Sequence, residues 1–262
     1  MDTTDQGRGP SGRIPLGSVP RSLRPRPAVL ITGGSQGVGR AVTLRFAQAG
    51  HPVILTYRGD PVQAQALACG IAQRQGRALA LPLDIRDHTE IAAVFQKSAV
   101  VFGPIGVVVN TTGISCRAVP LTAVEPQEIE TVIDTNILGT VLVSAQAVRH
   151  MALSAGGNGG VIINISAVPV RSKGMSLHVP QTTSVGAVEA LTRSLSDEVA
   201  PDGIRVVAVA PAMEGHRECV GSTANRSCGA GVITAEDIAD AVFFLASDQA
   251  RAITGTILTV SG

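Results

Sequence analysis

The residues with the clearest chemical meaning form a glycine-rich stretch, which reads Thr32-Gly33-Gly34-Ser35-Gln36-Gly37-Val38-Gly39. It follows a short apolar run and leads into a helical pattern. Glycines let a backbone approach phosphate oxygens, and the first turn of a helix offers unpaired N–H donors at the positive end of its dipole. This order favours a dinucleotide pyrophosphate site over a purely structural turn. The candidate binding residues are Thr32, Gly33, Ser35, Gly37, Val38 and Gly39.

A second candidate lies where the next predicted strand ends, at Tyr57 and Arg58. Sites for NAD place an acidic residue there to bind the ribose hydroxyls, whereas an arginine accommodates a 2′-phosphate. Arg58 therefore favours NADP as the cofactor. The alternative is a solvated arginine at a strand end, and the nearby Asp60 keeps that alternative open.

Short apolar runs that alternate with helical patterns must position these residues. The predicted strands are 28–32, 53–57, 78–83, 107–110, 161–166, 204–210 and 256–260, and the predicted helices are 37–49, 61–75, 88–102, 126–153, 181–200 and 234–247. Repeated strand–helix alternation predicts the α/β class, a Rossmann-type doubly wound parallel sheet of about seven strands with helices on both faces. No internal linker is evident, so residues 28–262 are expected to form one domain.

Residues 1–27 have a different composition, with five Pro, four Gly and five Arg against only Asp2 and Asp5. Such a segment cannot bury enough apolar surface to offset the entropy of ordering it. We expect a disordered basic tail. It is either a solvated extension, including one from a misassigned start, or a docking arm for an acidic partner.

The overall composition excludes several classes of function. Hydrophobic residues make up 45% of the chain and charged residues 16%, which excludes a disordered solvating protein. A net charge of +1, five Phe, one Tyr and no Trp argue against nucleic acid as a partner. The four cysteines (Cys69, Cys116, Cys219 and Cys228) fit neither a metal site nor a disulfide framework. No long apolar run or signal-peptide pattern is present, so a cytoplasmic protein is expected.

Several ordered motifs resemble the short-chain dehydrogenase/reductase family over residues 28–262. Besides the glycine-rich loop they are Asp84-Ile85, Asn110-Thr111-Thr112-Gly113, Asn136, Ile163-Asn164-Ile165-Ser166, Val188 to Leu195, and Ile253-Thr254-Gly255 to Val260-Ser261-Gly262. The resemblance implies a seven-stranded parallel sheet, a nicotinamide cofactor and hydride transfer between a carbonyl and an alcohol. It further implies adenine contacts from Asp84 and Ile85, a place beside the cofactor ribose for Asn110, a water chain ordered by Asn136, and a substrate oxygen held by Ser166.

The chain departs from the family at the catalytic Tyr-x-x-x-Lys motif. Alignment on the run that ends at Leu195 puts Gln181 at the tyrosine and Val185 at the lysine, and a two-residue shift brings up Val179 and Thr183 instead. The only tyrosine of the chain is Tyr57, on the second predicted strand. Reduction needs a group that protonates the carbonyl oxygen, and such general acids contribute typically 10²- to 10⁴-fold. We therefore expect little activity from this subunit alone.

The nicotinamide end and the substrate lid depart from the family as well. Pro211 is followed by Ala212 instead of glycine, and His216 stands near the place of a threonine that contacts the carboxamide. The segment 216–234 is short and polar compared with the family's lid. These changes weaken the expected binding of nicotinamide and substrate.

Three functions remain open at this stage. The first is a non-catalytic subunit that associates, through helices 126–153 and 181–200, with an active short-chain reductase in a hetero-oligomer such as a tetramer. In this respect the chain resembles degenerate partners in aminocoumarin antibiotic biosynthesis, where NADP-linked oxidation converts a carrier-bound β-hydroxytyrosyl to β-ketotyrosyl. The second is a stand-alone NADP(H) reductase with His178 or Lys173 as a relocated acid. The third is a nucleotide-sensing binding protein.

Overall fold

A computed structural model describes residues 26–166, 178–211 and 233–261. The strands are β1 (Ala28–Thr32), β2 (Val53–Tyr57), β3 (Ala78–Pro82), β4 (Ile105–Asn110), β5 (Gly160–Ile165), β6 (Ile204–Pro211) and β7 (Ile257–Val260). The α-helices are α1 (Gly37–Gln48), α2 (Val62–Gln73), α3 (His88–Phe102), α4 (Pro126–Val132), α5 (Thr140–Met151), α6 (Val179–Val199) and α7 (Ala235–Ala246). Short 3₁₀ turns lie at Leu121–Ala123, Leu153–Ala155, Ala200–Asp202 and Asp248–Ala250.

All seven strands pair in parallel in the order β3-β2-β1-β4-β5-β6-β7. Alternate residues of the central strands enter two separate cores, one on each face of the sheet. Leu30, for example, packs in the core that holds Phe95 and Met151, whereas its neighbour Ile31 packs in the core that holds Phe46. Strands buried on both faces read as continuous apolar runs, which is why the sequence predicts this doubly wound fold correctly.

Several predicted boundaries are wrong by one or two residues, and one difference concerns the site. Strand β5 ends at Ile165, so Ser166 lies just beyond it and donates its backbone N–H to Val209 at 2.8 Å. Helix α6 begins at Val179, two residues before the predicted start, with Pro180 in its first turn. Proline is tolerated there because the first-turn N–H groups have no helical partner.

The predicted single helix 126–153 is interrupted by a π-helical turn, Ile133–Gly139, between α4 and α5. Apolar periodicity does not reveal such a turn because it adds only one residue to a continuous helix. Gly139 closes the turn and lies against the loop after β3, where a Cβ atom would come within 2.6 Å of the Ile85 side chain. A residue with a side chain would push the helix away from that loop.

The segment Pro126–Met151 is also the one stretch, among the described residues, that is long and apolar enough to cross a membrane. About 44% of the apolar 18-residue window within it is buried inside the protein. Val143, Ala147 and Met151 belong to the core beneath the sheet. This burial is that of a core helix, which passes the same test of length and hydropathy.

Candidate active site

The main candidate site is a cleft of about 510 Å³ above the carboxyl ends of β1 and β4. The strand order reverses between these two strands, and ligands of open α/β sheets bind at such a switch point. The cleft is lined by the glycine-rich loop, by the ends of β2 and β3, and by the loop after β4. The predicted residues that line it are Gly33, Ser35, Gly37, Val38, Gly39, Arg58, Asp84 and Ile85.

The glycine-rich loop takes a shape that side chains would prevent. A Cβ atom on Gly39 would lie 2.3 Å from the Gly33 carbonyl oxygen, so this glycine permits the tight contact between loop and helix. Gly37 has a φ of +48° and no heavy atom within 4 Å of the place a Cβ would take. That open space lies over the loop and is where a ligand can meet the backbone.

The start of α1 supplies the hydrogen-bond donors for this space. Its N-cap residue, Gln36, makes no side-chain bond to the first turn, and no acidic residue stands in that turn. The first N–H groups of a helix without a cap remain available to an anion. The open space and the donor set therefore fit a pyrophosphate. The cofactor implied here is a nicotinamide dinucleotide, which supplies or accepts a hydride when bound.

Two predicted cofactor residues lie beneath the cleft instead of lining it. The Thr32 hydroxyl accepts the backbone N–H groups of Thr111 at 3.1 Å and Thr112 at 3.3 Å, so it ties β1 to the loop after β4. The amide of Asn110 donates to Asn164 at 2.9 Å and to Ser144 at 3.3 Å. Both side chains support the cleft floor.

At the opposite end of the cleft, Asp84 lies between two arginines. The guanidinium of Arg86 donates to both carboxylate oxygens, with Nε at 2.9 Å from Oδ1 and Nη2 at 2.5 Å from Oδ2. Arg58 is further away, with Nη1 at 3.7 Å from Oδ2. The hydrogen bonds from Arg86 are the main cause that lowers the pKa of Asp84 from 3.8 to about 2. Asp84 is thus a firmly ionised group at the edge of the cleft.

A second cavity, of about 200 Å³, adjoins the cleft where β5 ends. Ser166, Gln181 and Val185 all line it, so the structure brings together the predicted serine and the two positions aligned with the family's dyad. Gln181 and Val185 are four residues apart on α6 and share one face of the helix. The Ser166 hydroxyl is buried and has no hydrogen-bond partner within the part of the chain that the structure describes. An unpartnered hydroxyl is available to a ligand oxygen.

Asn136, in the π-helical turn, holds the wall of this cavity. Its side chain accepts the N–H of Ile114 at 2.8 Å and donates to the Ile114 carbonyl at 2.9 Å. It also donates to the Ser184 hydroxyl at 3.0 Å, and that hydroxyl in turn donates to the Gln181 carbonyl at 2.7 Å. The amide is therefore fully used in joining the loop after β4 to α6.

One of the two candidates for a relocated acid is not brought to the cavity. His178 precedes α6, and its Nδ1 is buried without a partner among the described residues, but the residue is not among those that line the cavity. Lys173 and His216 lie outside the described residues, as does the lid segment 216–232. Within the described ranges, no three His, Cys, Asp or Glu side chains lie close enough together to hold a metal ion.

Sequence reasoning missed three residues of these sites. Arg86 follows a motif residue by two positions, a spacing that allows the Asx-type bond from its N–H to Asp84 Oδ1 at 3.0 Å. Thr111 donates its hydroxyl to the Thr32 carbonyl at 2.5 Å, and Ser184 bonds Asn136. Only Arg86 had a local signal, since the other two contacts join distant parts of the chain.

Comparison with known proteins agrees with the fold. The short chain dehydrogenase family matches residues 27–215. The chain belongs to this family of oxidoreductases, whose members typically bind NAD or NADP.

Individual relatives cover most of the chain. The uncharacterized oxidoreductase YgfF of Escherichia coli is 36% identical, over 89% of this chain and 98% of its own length. The 3-oxoacyl-[acyl-carrier-protein] reductase FabG of Staphylococcus aureus is 32% identical, over 90% and 96%. The short-chain reductase protein NovJ of Streptomyces niveus is also 32% identical, over 89% and 92%. A crystal structure of a dehydrogenase/reductase from Sinorhizobium meliloti 1021 superposes with a TM-score of 0.78, at 28% identity, over 90% of this chain and 94% of that one.

Proposed function

We propose that this protein is a non-catalytic subunit of a hetero-oligomeric, NADP-dependent oxidoreductase in the cytoplasm. The observation that carries the proposal is the composition of the smaller cavity. Gln181 and Val185 line it beside Ser166, and the only tyrosine of the chain, Tyr57, lies at the end of β2. A cleft with a usable phosphate loop therefore adjoins a cavity that lacks a proton donor of the expected kind.

The side chains at the cavity explain why this subunit would be slow alone. The Gln181 amide can donate a hydrogen bond to a carbonyl oxygen but cannot release a proton at ordinary pH. Val185 brings no positive charge that would lower the pKa of a neighbouring acid. Ser166 can hold the substrate oxygen but has no base or acid partner here. Binding without proton transfer is the expected result.

The proposed partner is a short-chain reductase subunit that carries its own tyrosine, with a heterotetramer as the working stoichiometry. The long helical segment keeps two exposed apolar side chains three residues apart, Leu138 and Val141. Residues at this spacing lie on one face of a helix. This face offers an apolar contact to a partner helix.

The proposed substrate is a β-hydroxytyrosyl group held on a carrier protein, which the mixed enzyme oxidises to the β-ketotyrosyl form in antibiotic biosynthesis of the aminocoumarin type. The relative FabG is a reductase of 3-oxoacyl groups on acyl carrier protein, which supports this class of substrate. Both reactions interconvert a hydroxyl and a ketone at the β-carbon of a carrier-bound acyl group. The hydride of that carbon would pass to NADP⁺, and the hydroxyl proton to the partner's base.

Co-expression with a tyrosine-bearing short-chain reductase from the same host tests the proposal. We expect native mass spectra to show a mixed oligomer of fixed ratio, and the partner's rate to rise in that oligomer. Leu138→Glu with Val141→Glu should abolish the mixed species, whereas the control Val100→Glu, at a highly exposed position near the end of α3, should not. Homo-oligomers alone, with no change in the partner's rate, would contradict the proposal.

The two other hypotheses have less support. A stand-alone reductase would need His178 or Lys173 as its acid, and His178 does not line the cavity. Equal single-turnover oxidation of NADPH in the wild type and in His178→Ala would exclude His178 from that role. A nucleotide sensor would bind its partner more tightly or more weakly when NADP is present, because coupling between two ligands is reciprocal.

A further inference from the structure

Three charged groups at the edge of the cleft, Arg58, Asp84 and Arg86, form a cluster that shares its contacts unevenly. Arg86 takes both oxygens of Asp84 through Nε and Nη2, and its backbone N–H also bonds Oδ1 at 3.0 Å. Arg58 approaches only one oxygen, at 3.7 Å, which exceeds hydrogen-bond distance. One carboxylate thus faces two guanidinium groups, and Arg86 holds it.

The positive charge that Asp84 does not neutralise lies on the side of the cleft. The side chain of Arg58 is 58% exposed and lines the cleft, whereas that of Arg86 is 38% exposed and is not among the lining residues. Two cations and one anion leave a net charge of +1 in this cluster. Because Asp84 is paired with Arg86, that charge is carried by Arg58.

The carboxylate itself is held in place by the surrounding loop. The N–H of Asp84 donates to Glu90 Oε2 at 2.7 Å. Asp87 caps α3 by accepting the N–H groups of Thr89 and Glu90, and its own N–H donates to the Asp84 carbonyl at 3.0 Å. The loop is therefore fixed from both ends. Arginine side chains are long and flexible, so a change in pairing would move Arg58 and not Asp84.

We propose that Arg86 is a positioning residue that sets the preference for a 2′-phosphate by preventing Asp84 from capturing Arg58. This inference rests on the proposed use of NADP. Without Arg86, the fixed carboxylate of Asp84 has one guanidinium within reach, and a bidentate pair with Arg58 is the strongest arrangement open to it. Arg58 would then be drawn from the place where a 2′-phosphate binds, and the charge of the cluster would fall to zero.

The test compares two ligands that differ by one phosphate group. Adenosine 2′,5′-bisphosphate and 5′-AMP share the adenine, the ribose and the 5′-phosphate, so the ratio of their Kd values reports the 2′-phosphate alone. Titration calorimetry at low salt measures both without any turnover. Since an exposed ion pair is worth about 0.2–1 kcal/mol, Arg86→Gln should lower the preference for the bisphosphate by a factor of roughly 1.4 to 5.

A second variant, Asp84→Asn, distinguishes an effect of Arg86 that acts through Asp84 from a direct contact between Arg86 and the 2′-phosphate. With Asp84→Asn the carboxylate that would capture Arg58 is absent, so adding Arg86→Gln should leave the ratio unchanged. Arg117→Gln, which removes an exposed ion pair with Glu128 away from the cleft, is the matched control and should not change the ratio.

Each outcome decides one point. If the wild type binds the two ligands equally, the proposed use of NADP fails, and this inference fails with it. If the wild type prefers the bisphosphate and Arg86→Gln retains that preference, only the role of Arg86 is overturned. An equal drop in the Asp84→Asn background would mean that Arg86 contacts the phosphate directly, which also overturns it. A lower preference for the bisphosphate that occurs only when Asp84 is present supports the proposed role of Arg86.

Discussion

A tyrosine at position 181 and a lysine at position 185 would test most directly whether the smaller cavity lacks a proton donor. Gln181 and Val185 line that cavity beside Ser166, one helical turn apart. In the variant Gln181→Tyr with Val185→Lys, a phenol faces the serine hydroxyl and an ammonium lies one turn away. The ammonium favours the phenolate and lowers a tyrosine pKa of about 10 towards neutrality. A proton donor is then present where the wild type has an amide.

The expected gain is set by the value of general acid catalysis, typically 10²- to 10⁴-fold. We expect the lower part of this range because the departures from the family at Ala212 and His216 remain. The free energy of unfolding of this variant should be lower than that of the wild type. Val185 is 7% exposed, and an unpaired ammonium at a nearly buried place costs roughly 3 kcal/mol. Urea unfolding of the variant should show this loss, and added NADP should recover part of it.

The assay follows NADPH oxidation with a short β-ketoacyl thioester and a small diketone as probes. Gln181→Phe with Val185→Lys is the matched control, because it keeps the ring and the charge but has no hydroxyl. The restored variant should turn over at least about 10²-fold faster than this control. A wild type that reduces either probe as fast as the restored variant would refute the reasoning, since Gln181 would then not limit the chemistry.

Three further predictions follow from contacts in the two sites. Asn136→Ala should lower the free energy of unfolding by about 2–3 kcal/mol, because it leaves both backbone groups of Ile114 unpaired. Ser184→Ala removes one hydrogen bond to Asn136 and should lower it by only about 1 kcal/mol. Urea titrations of the two variants measure the difference. Gly37→Ala should still fold, with about 1 kcal/mol of left-handed strain, but should lose NADP affinity in calorimetry because the methyl group enters the open space over the loop. The pKa of Asp84 is lowered from 3.8 to about 2, so its contribution to stability is full above about pH 4 and is lost as the pH falls through 2. The free energies of unfolding of the wild type and of Asp84→Asn should therefore converge over that window. A constant difference between them down to pH 2 would contradict this prediction.

The sequence predicts the fold well because the sheet is buried on both faces. Each central strand must then be a short apolar run, and the runs that hold Leu30, Val108 and Ile162 stand out clearly. Helix α7 begins at Ala235, one residue after the predicted start, and both bonds of a capping box between Thr234 and Asp237 form there. Local patterns suffice where the deciding contacts are local.

The candidate site is predictable in part for the same reason. The glycine-rich loop is a local pattern, and its conformation at Gly37 follows from residue type. The positions of Thr32 and Asn110 beneath the cleft do not follow from residue type, because their hydrogen-bond partners come from distant parts of the chain. Whether a strand-end side chain points to the ligand or to the floor depends on these tertiary contacts.

The π-helical turn Ile133–Gly139 has a consequence for how this chain can vary in length. Each residue of an α-helix turns the chain by about 100°. A π-helical turn winds its extra residue into a wider turn, so α4 and α5 keep nearly the relative rotation of a regular helix that is one residue shorter. Deleting one residue inside the turn would therefore join α4 and α5 with little rotation, whereas deleting one residue of α4 or α5 outside it would rotate one helical face by about that angle. Helix α4 packs beside α6, while α5 packs beside α3, so both contacts cannot survive such a rotation. A one-residue deletion should therefore be better tolerated inside the turn than within α4 or α5.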